Sequence, residues 1–180
     1  MKGIVFTEFM ELVESKFGED TMEDMLEAAD LSSDGSYTSV GTYDHNELVI
    51  MVEELSKITK VDVPDLIKAF GNHLGVVFYT KFTTFFEQAD GTLEFLKSID
   101  DHIHVEVAKL YPDAELPVFA YKEHEDGSFH LFYSSTRGFS DLAHGLIEAT
   151  SGYYKESFSI EREDSIEGST HKTHFVLTPS

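Results

Sequence analysis

The amino-acid sequence predicts an α+β domain, a helical N-terminal half packed with a C-terminal antiparallel sheet. Two observations carry that prediction. Up to Pro117 the apolar residues recur with a helical period, and beyond it they alternate with polar ones at a period of two. The tripeptide "EDG", Glu125 to Gly127, then falls between two alternating runs, where a hairpin turn belongs. With 180 residues, 41% hydrophobic and 13% aromatic, the chain is long enough for one domain over residues 1–180 with a sizeable core.

Between Ile4 and Phe17, the residues Val5, Phe6, Phe9, Met10, Leu12, Val13 and Phe17 share a helical period, and Gly18 is the stop. A second helix runs from about Thr21 to Ala29 and ends in the turn-rich "DLSSDGS". After an irregular stretch, a third continues through Ile58. Pro64 opens a fourth, with Asp62 as its N-cap, and this one extends through Phe78. A further helix spans Thr92 to Leu110 and closes at "YPDAELP". The strands are "VFAYKEH", "GSFHLFYSS", "KESFSIERED" and "KTHFVLT", with the amphipathic "GFSDLAHGLIEATSGYY" crossing between the second and third.

Charge and composition exclude several functions. With 34 acidic residues against 13 basic ones, the net charge of -21 opposes binding to nucleic acid or to an anionic membrane. The absence of cysteine removes disulfides, thiolate zinc sites and a thiol nucleophile. The apolar run before Glu8 is too short for a signal-peptide core and no run reaches spanning length, so a cytoplasmic protein is expected. There is no Gly-rich phosphate loop, nucleophile elbow or HExxH pair, and no two carboxylates stand out as acid and base, so an enzyme is not expected.

Two features remain for chemistry. "YSSTRG", Tyr133 to Gly138, reads as strand, so Tyr133, Ser135 and Arg137 form one polar ladder, either a wet outer face or a clamp for an anion. Nine histidines invite a search for metal ligands. With helical residues about 100° apart, Leu96, Ile99, Ile103, Val107 and Leu110 share one side, and His104 falls at its edge in line with Leu93. His102 lies on the opposite polar face. His104 is therefore either a core-edge histidine bonded to a carbonyl or an axial ligand to a metal or haem iron. His171 and His174, three apart on a strand, point to opposite faces, and His73 and His144 read as packing or surface residues. A haem needs an imidazole, a wide apolar lining and an anion clamp. His104, the helices of Phe9, Leu74 and Phe78, and Tyr133, Ser135 and Arg137 can supply them.

Five stretches then point to one family: "MKGIVF", "DLIKAFG", "DDHIHVEVAKLYPDAELP", "YSSTR" in the pattern Tyr-x-Ser-x-Arg, and "LAHGLIEA". Over nearly its whole length the chain resembles the bacterial H-NOX haem domains, also called haem-NO-binding domains, related to the haem domain of soluble guanylate cyclase. The resemblance implies haem b (protoporphyrin IX iron) buried between the two halves, His104 as its proximal ligand, Tyr133, Ser135 and Arg137 on the propionates, and Pro117 pressing on and distorting the macrocycle. Some members hold dioxygen with a Tyr where this chain has Leu142, and the remaining distal positions match Val5, Phe9, Leu74 and Phe78. All are apolar. A pocket without a donor favours NO, and CO, over weakly held O2, with Tyr153 and Tyr154 set aside as residues near a strand start.

Other members carry zinc-binding cysteines near the C-terminus, and this chain departs from them in having none. The resemblance further implies signalling by release of His104 and relaxation of the haem, read by a separate partner such as a histidine kinase or a cyclic-di-GMP enzyme. The competing expectation is a haem-free adaptor whose aromatic cavity takes an apolar ligand, which would purify colourless.

Overall fold

The computed structural model describes the backbone of residues 1–180 and every side chain except that of Leu110. That member of the expected apolar stripe therefore lies outside the described residues. Helices α1 (Gly3–Phe17), α2 (Glu19–Ala29), α3 (His45–Thr59) and α4 (Val63–Lys81) make the N-terminal half. Their apolar stripes converge on one core that contains Phe6, Phe9, Val13, Met51, Phe70 and Leu74. Asp44 caps α3 by accepting from the Asn46 N–H at 3.0 Å. Asp62 stands at the N-cap of α4 as expected, but its side chain makes no capping bond, and its carbonyl oxygen instead accepts from the Leu66 N–H at 3.1 Å.

A short helix that the sequence did not announce, α5 (Thr83–Glu87), leads into α6 (Thr92–Lys97). The helix expected over Thr92–Leu110 is broken. A π-helical turn, Ile99–Ile103, separates α6 from α7 (His104–Leu110). There the Ile103 N–H reaches back five residues to the Ser98 carbonyl at 3.1 Å, which widens the backbone by one residue.

Strands β1 (Val118–Glu123), β2 (Phe129–Ser135), β3 (Phe158–Glu167) and β4 (Thr170–Pro179) form one antiparallel sheet in the order β1-β2-β4-β3. Helix α8 (Ser140–Tyr154) packs on one face, where Phe129, Leu131, Phe175 and Leu177 build a second core with Phe86, Phe95 and Ile147. Tyr153 and Tyr154 close this helix instead of starting a strand.

The two cores meet where α4 crosses α8. A Cβ on Gly71 would stand 2.3 Å from the Leu142 carbonyl oxygen, and one on Gly145 would stand 2.1 Å from that of Lys68, so only glycine permits this approach. Leu74 and Phe78 of α4 and Leu142 of α8 all belong to or pack on the N-terminal core. Phe78 packs against both cores. A second link joins the halves at the surface: Lys2 Nζ donates to Asp113 at 2.9 Å and to Thr42 at 2.7 Å, and Thr42 donates to Asp113 at 2.7 Å. Those two donors hold the Asp113 carboxyl down to about 2.

Candidate functional site

His104 opens α7 directly after the π turn. Its side chain is only 18% exposed, and its Nδ1 lies 2.8 Å from Asp100 Oδ1, one turn earlier. The other carboxylate oxygen of Asp100 accepts from the Phe119 N–H at 2.8 Å. One carboxylate thus ties the π turn, His104 and β1 together. Burial pushes the imidazole below its ordinary value, with Asp100 opposing the shift, so the ring is neutral at neutral pH. An ionised carboxylate only accepts, which puts the proton on Nδ1 and leaves the Nε2 lone pair for a ligand bond. His102 is exposed and its Nε2 faces Gln88 Oε1 at 3.0 Å, as the helical wheel expected for the polar face.

From His104 the site continues through aromatic contacts. The Phe119 ring lies 5.9 Å from that of His104 and 5.5 Å from that of Tyr133. Tyr133 and Ser135 share one face of β2, as their spacing requires, but the expected strand does not reach Arg137. Pairing with β4 stops at Ser135 opposite His171, and the Arg137 N–H turns back to Ser135 Oγ at 3.1 Å. The chain then turns at Gly138, whose φ of +68° and close approach to the His171 ring favour glycine. The Tyr133 hydroxyl accepts from the Phe139 N–H at 3.2 Å, and burial pushes the phenol up, so it keeps its proton.

Arg137 shows what its fork selects. Nη2 is bonded to the Glu115 carboxylate and Nη1 donates to the Glu115 carbonyl oxygen at 3.1 Å. Glu115 is 77% exposed and Arg137 only 15%, so the guanidinium is largely covered while its carboxylate partner stands in solvent. Pro117 is half-buried two residues before Phe119, hence next to the bond that Asp100 makes to β1.

On the other side stand the five apolar residues. Phe9 and Leu74 are buried, Val5, Phe78 and Leu142 are half-buried, and all belong to or pack on the N-terminal core. The Phe9 ring meets that of Phe70 at 5.2 Å. Tyr153 and Tyr154 point elsewhere: Tyr154 donates to the Phe86 carbonyl at 2.6 Å, and Tyr153 packs on Phe86 and Tyr79. His73 Nε2 stands 3.4 Å from Glu8 Oε2. His171 and His174 face opposite sides of the sheet.

An imidazole with a free nitrogen, a seated guanidinium that selects carboxylate, a protonated phenol and a broad apolar wall fit a flat metal macrocycle with carboxylate arms. Fold and donor set together define a haem-domain type of protein. A family profile described as Haem-NO-binding matches residues 2–162. No curated protein sequence matches the chain. Among solved structures, the unliganded Fe(II) H-NOX protein from K. algicida is 36% identical, with a TM-score of 0.91 over 100% of this chain and 98% of that one. The H-NOX from Shewanella woodyi, solved in the Fe(II)CO state with IWP-051 bound, is 40% identical, with a TM-score of 0.84 over 100% of this chain and 95% of that one. The H-NOX protein from S. oneidensis in the Fe(II)NO state is 26% identical, with a TM-score of 0.88 over 99% of each chain. The chain belongs to the Haem-NO-binding family of H-NOX gas-sensor domains.

Proposed function

We propose that residues 1–180 act as a single H-NOX domain that holds haem b, binds NO and CO at ferrous iron, excludes O2 and regulates a separate signalling protein. The observation that carries this reading is the His104–Asp100 pair, which presents a neutral imidazole with Nε2 free. Haem, when bound, supplies the iron at which a diatomic gas binds. Without cysteine the chain cannot make thioether bonds, which favours haem b over a covalently attached haem.

The remaining residues have assigned roles in this proposal. Arg137 exchanges Glu115 for a propionate, Tyr133 and Ser135 add hydroxyl donors, and Pro117 presses on the macrocycle. Val5, Phe9, Leu74, Phe78 and Leu142 form the distal wall. Bound O2 carries partial negative charge and gains from a donor, which these side chains do not have, whereas NO needs none. Asp100 holds both His104 and the Phe119 N–H, so a displacement of His104 on gas binding would reach β1 beside Pro117 through this one carboxylate. The acidic chain, at -21, suits a partner with a basic docking surface, of the histidine kinase or cyclic-di-GMP enzyme class. Among the described residues no helix is long and apolar enough to cross a membrane, which accords with a cytoplasmic sensor.

Absorption spectra of the reduced protein under argon, in air, with CO and with NO test this. A Soret band that shifts with NO and CO and stays put in air is expected. A stable oxy spectrum would contradict the selectivity, and no Soret band after haem reconstitution would contradict the haem and favour the adaptor.

A further inference from the structure

Three histidines gather on the outer face of the sheet, away from His104. Along β2, His130 and Phe132 alternate with the buried Leu131 and Tyr133, and on β4 His174 lies between the buried Thr173 and Phe175. The register pairs Phe132 with His174, so His130 is a diagonal neighbour of His174. Their rings face each other: His130 Nδ1 is 2.8 Å from His174 Nε2. Phe132 stacks on His174 at 4.6 Å and His124 lies tilted against His130 at 4.1 Å, and both contacts restrain the pair.

The hydrogen bonds determine where the protons are. Ser128 Oγ donates to Asp126 Oδ1 at 2.6 Å, so toward His130 Nε2, at 3.2 Å, it accepts. His130 therefore carries its proton on Nε2 and turns the Nδ1 lone pair toward His174, which supplies the N–H between them. A carboxylate acting through a hydroxyl on the far nitrogen is the type of support that orients metal-bound imidazoles.

We propose that His130 Nδ1 and His174 Nε2 form a binding site for a borderline divalent transition-metal ion such as Zn2+, with water completing its shell. The ion takes the place of the proton on His174 Nε2. That proton moves to Nδ1 of the same ring, so both ligands stay neutral and no net proton is released. Two Zn–N bonds of about 2.0–2.1 Å at a tetrahedral angle span about 3.3 Å, so the rings separate by about half an ångström. Among the described residues no three ligating side chains already converge, which makes this a two-imidazole site, weaker than a closed four-ligand one. Glu163, opposite His174 on β3, adds negative charge on the same face. Bound there, the ion bridges β2 and β4 behind Tyr133 and Thr173.

Calorimetric titration of the haem-loaded protein with Zn2+, in excess Mg2+, tests the site. One saturable event is expected, weakened at least about tenfold by His130→Gln and by His174→Gln and unchanged by His171→Gln. Soret and circular dichroism spectra of each variant establish that it is folded and loaded. No saturable binding, competition by Mg2+ as at a carboxylate site, or equal loss in His171→Gln would overturn the proposal.

Discussion

The distal wall proposed above and the residues around His104 treat polar groups in opposite ways. The former presents Val5, Phe9, Leu74, Phe78 and Leu142, none of which can donate a hydrogen bond. The latter links its polar groups in series, from His104 to Asp100 to the Phe119 N–H, and from Arg137 to Glu115 and Ser135. If haem sits between them as proposed, the pocket selects by omission on one side and by orientation on the other. Changes on the two sides should therefore fail differently.

The largest effect is expected for Phe9→Ala. Phe9 is fully packed against Phe70, and truncating such a ring costs about 3–5 kcal/mol, read as a lower denaturation midpoint. An unchanged midpoint would mean the distal wall is not part of the core. Next is Arg137→Ala, which removes a charged fork worth about 1.5–3 kcal/mol per bond. Haem transfer to a scavenger globin should accelerate about tenfold or more, with the fold intact. Glu115→Ala should leave haem retention unchanged or improved, because it frees the fork of its competitor.

Leu142→Tyr sharpens the distal side of the comparison. A phenol at this half-buried position adds the missing donor, and a net hydrogen bond of about 1 kcal/mol corresponds to roughly fivefold tighter O2 binding. If the variant in air remains as unresponsive as the parent, omission is not the source of selectivity.

The smallest effect is on pH dependence. Burial lowers the His104 pKa in the folded protein below the unfolded value of 6.5, so the unfolded chain binds the extra proton first. This contribution to stability is therefore present above pH 6.5 and declines as pH falls through 6.5 toward the folded value. Thermal midpoints of the haem-free protein between pH 7.5 and 5.5 should fall, and less steeply in haem-free His104→Ala.

The sequence carried the two periods, and with them the helical half, the sheet and the inward edge position of His104. Tyr133 and Ser135 were readable because strand geometry forces alternate residues to one face. Arg137 was less so, since the strand's end depends on where β4 stops pairing. The π turn left no mark in the apolar pattern, for one extra residue in a short helix leaves hydrophobic spacing nearly intact. Asp100 had a signal that went unused: a carboxylate four residues before an imidazole on a helix sits within reach of it. The Arg137–Glu115 contact had none, because a loop conformation brings the two together.

In the proposed function His104 presents Nε2 to the haem iron. Reconstituted His104→Gly protein should hold little haem alone and regain both haem and the ferrous spectrum of the parent when imidazole is added, since the free base fills the vacated position. Haem retention and a parental spectrum without imidazole would contradict the assignment.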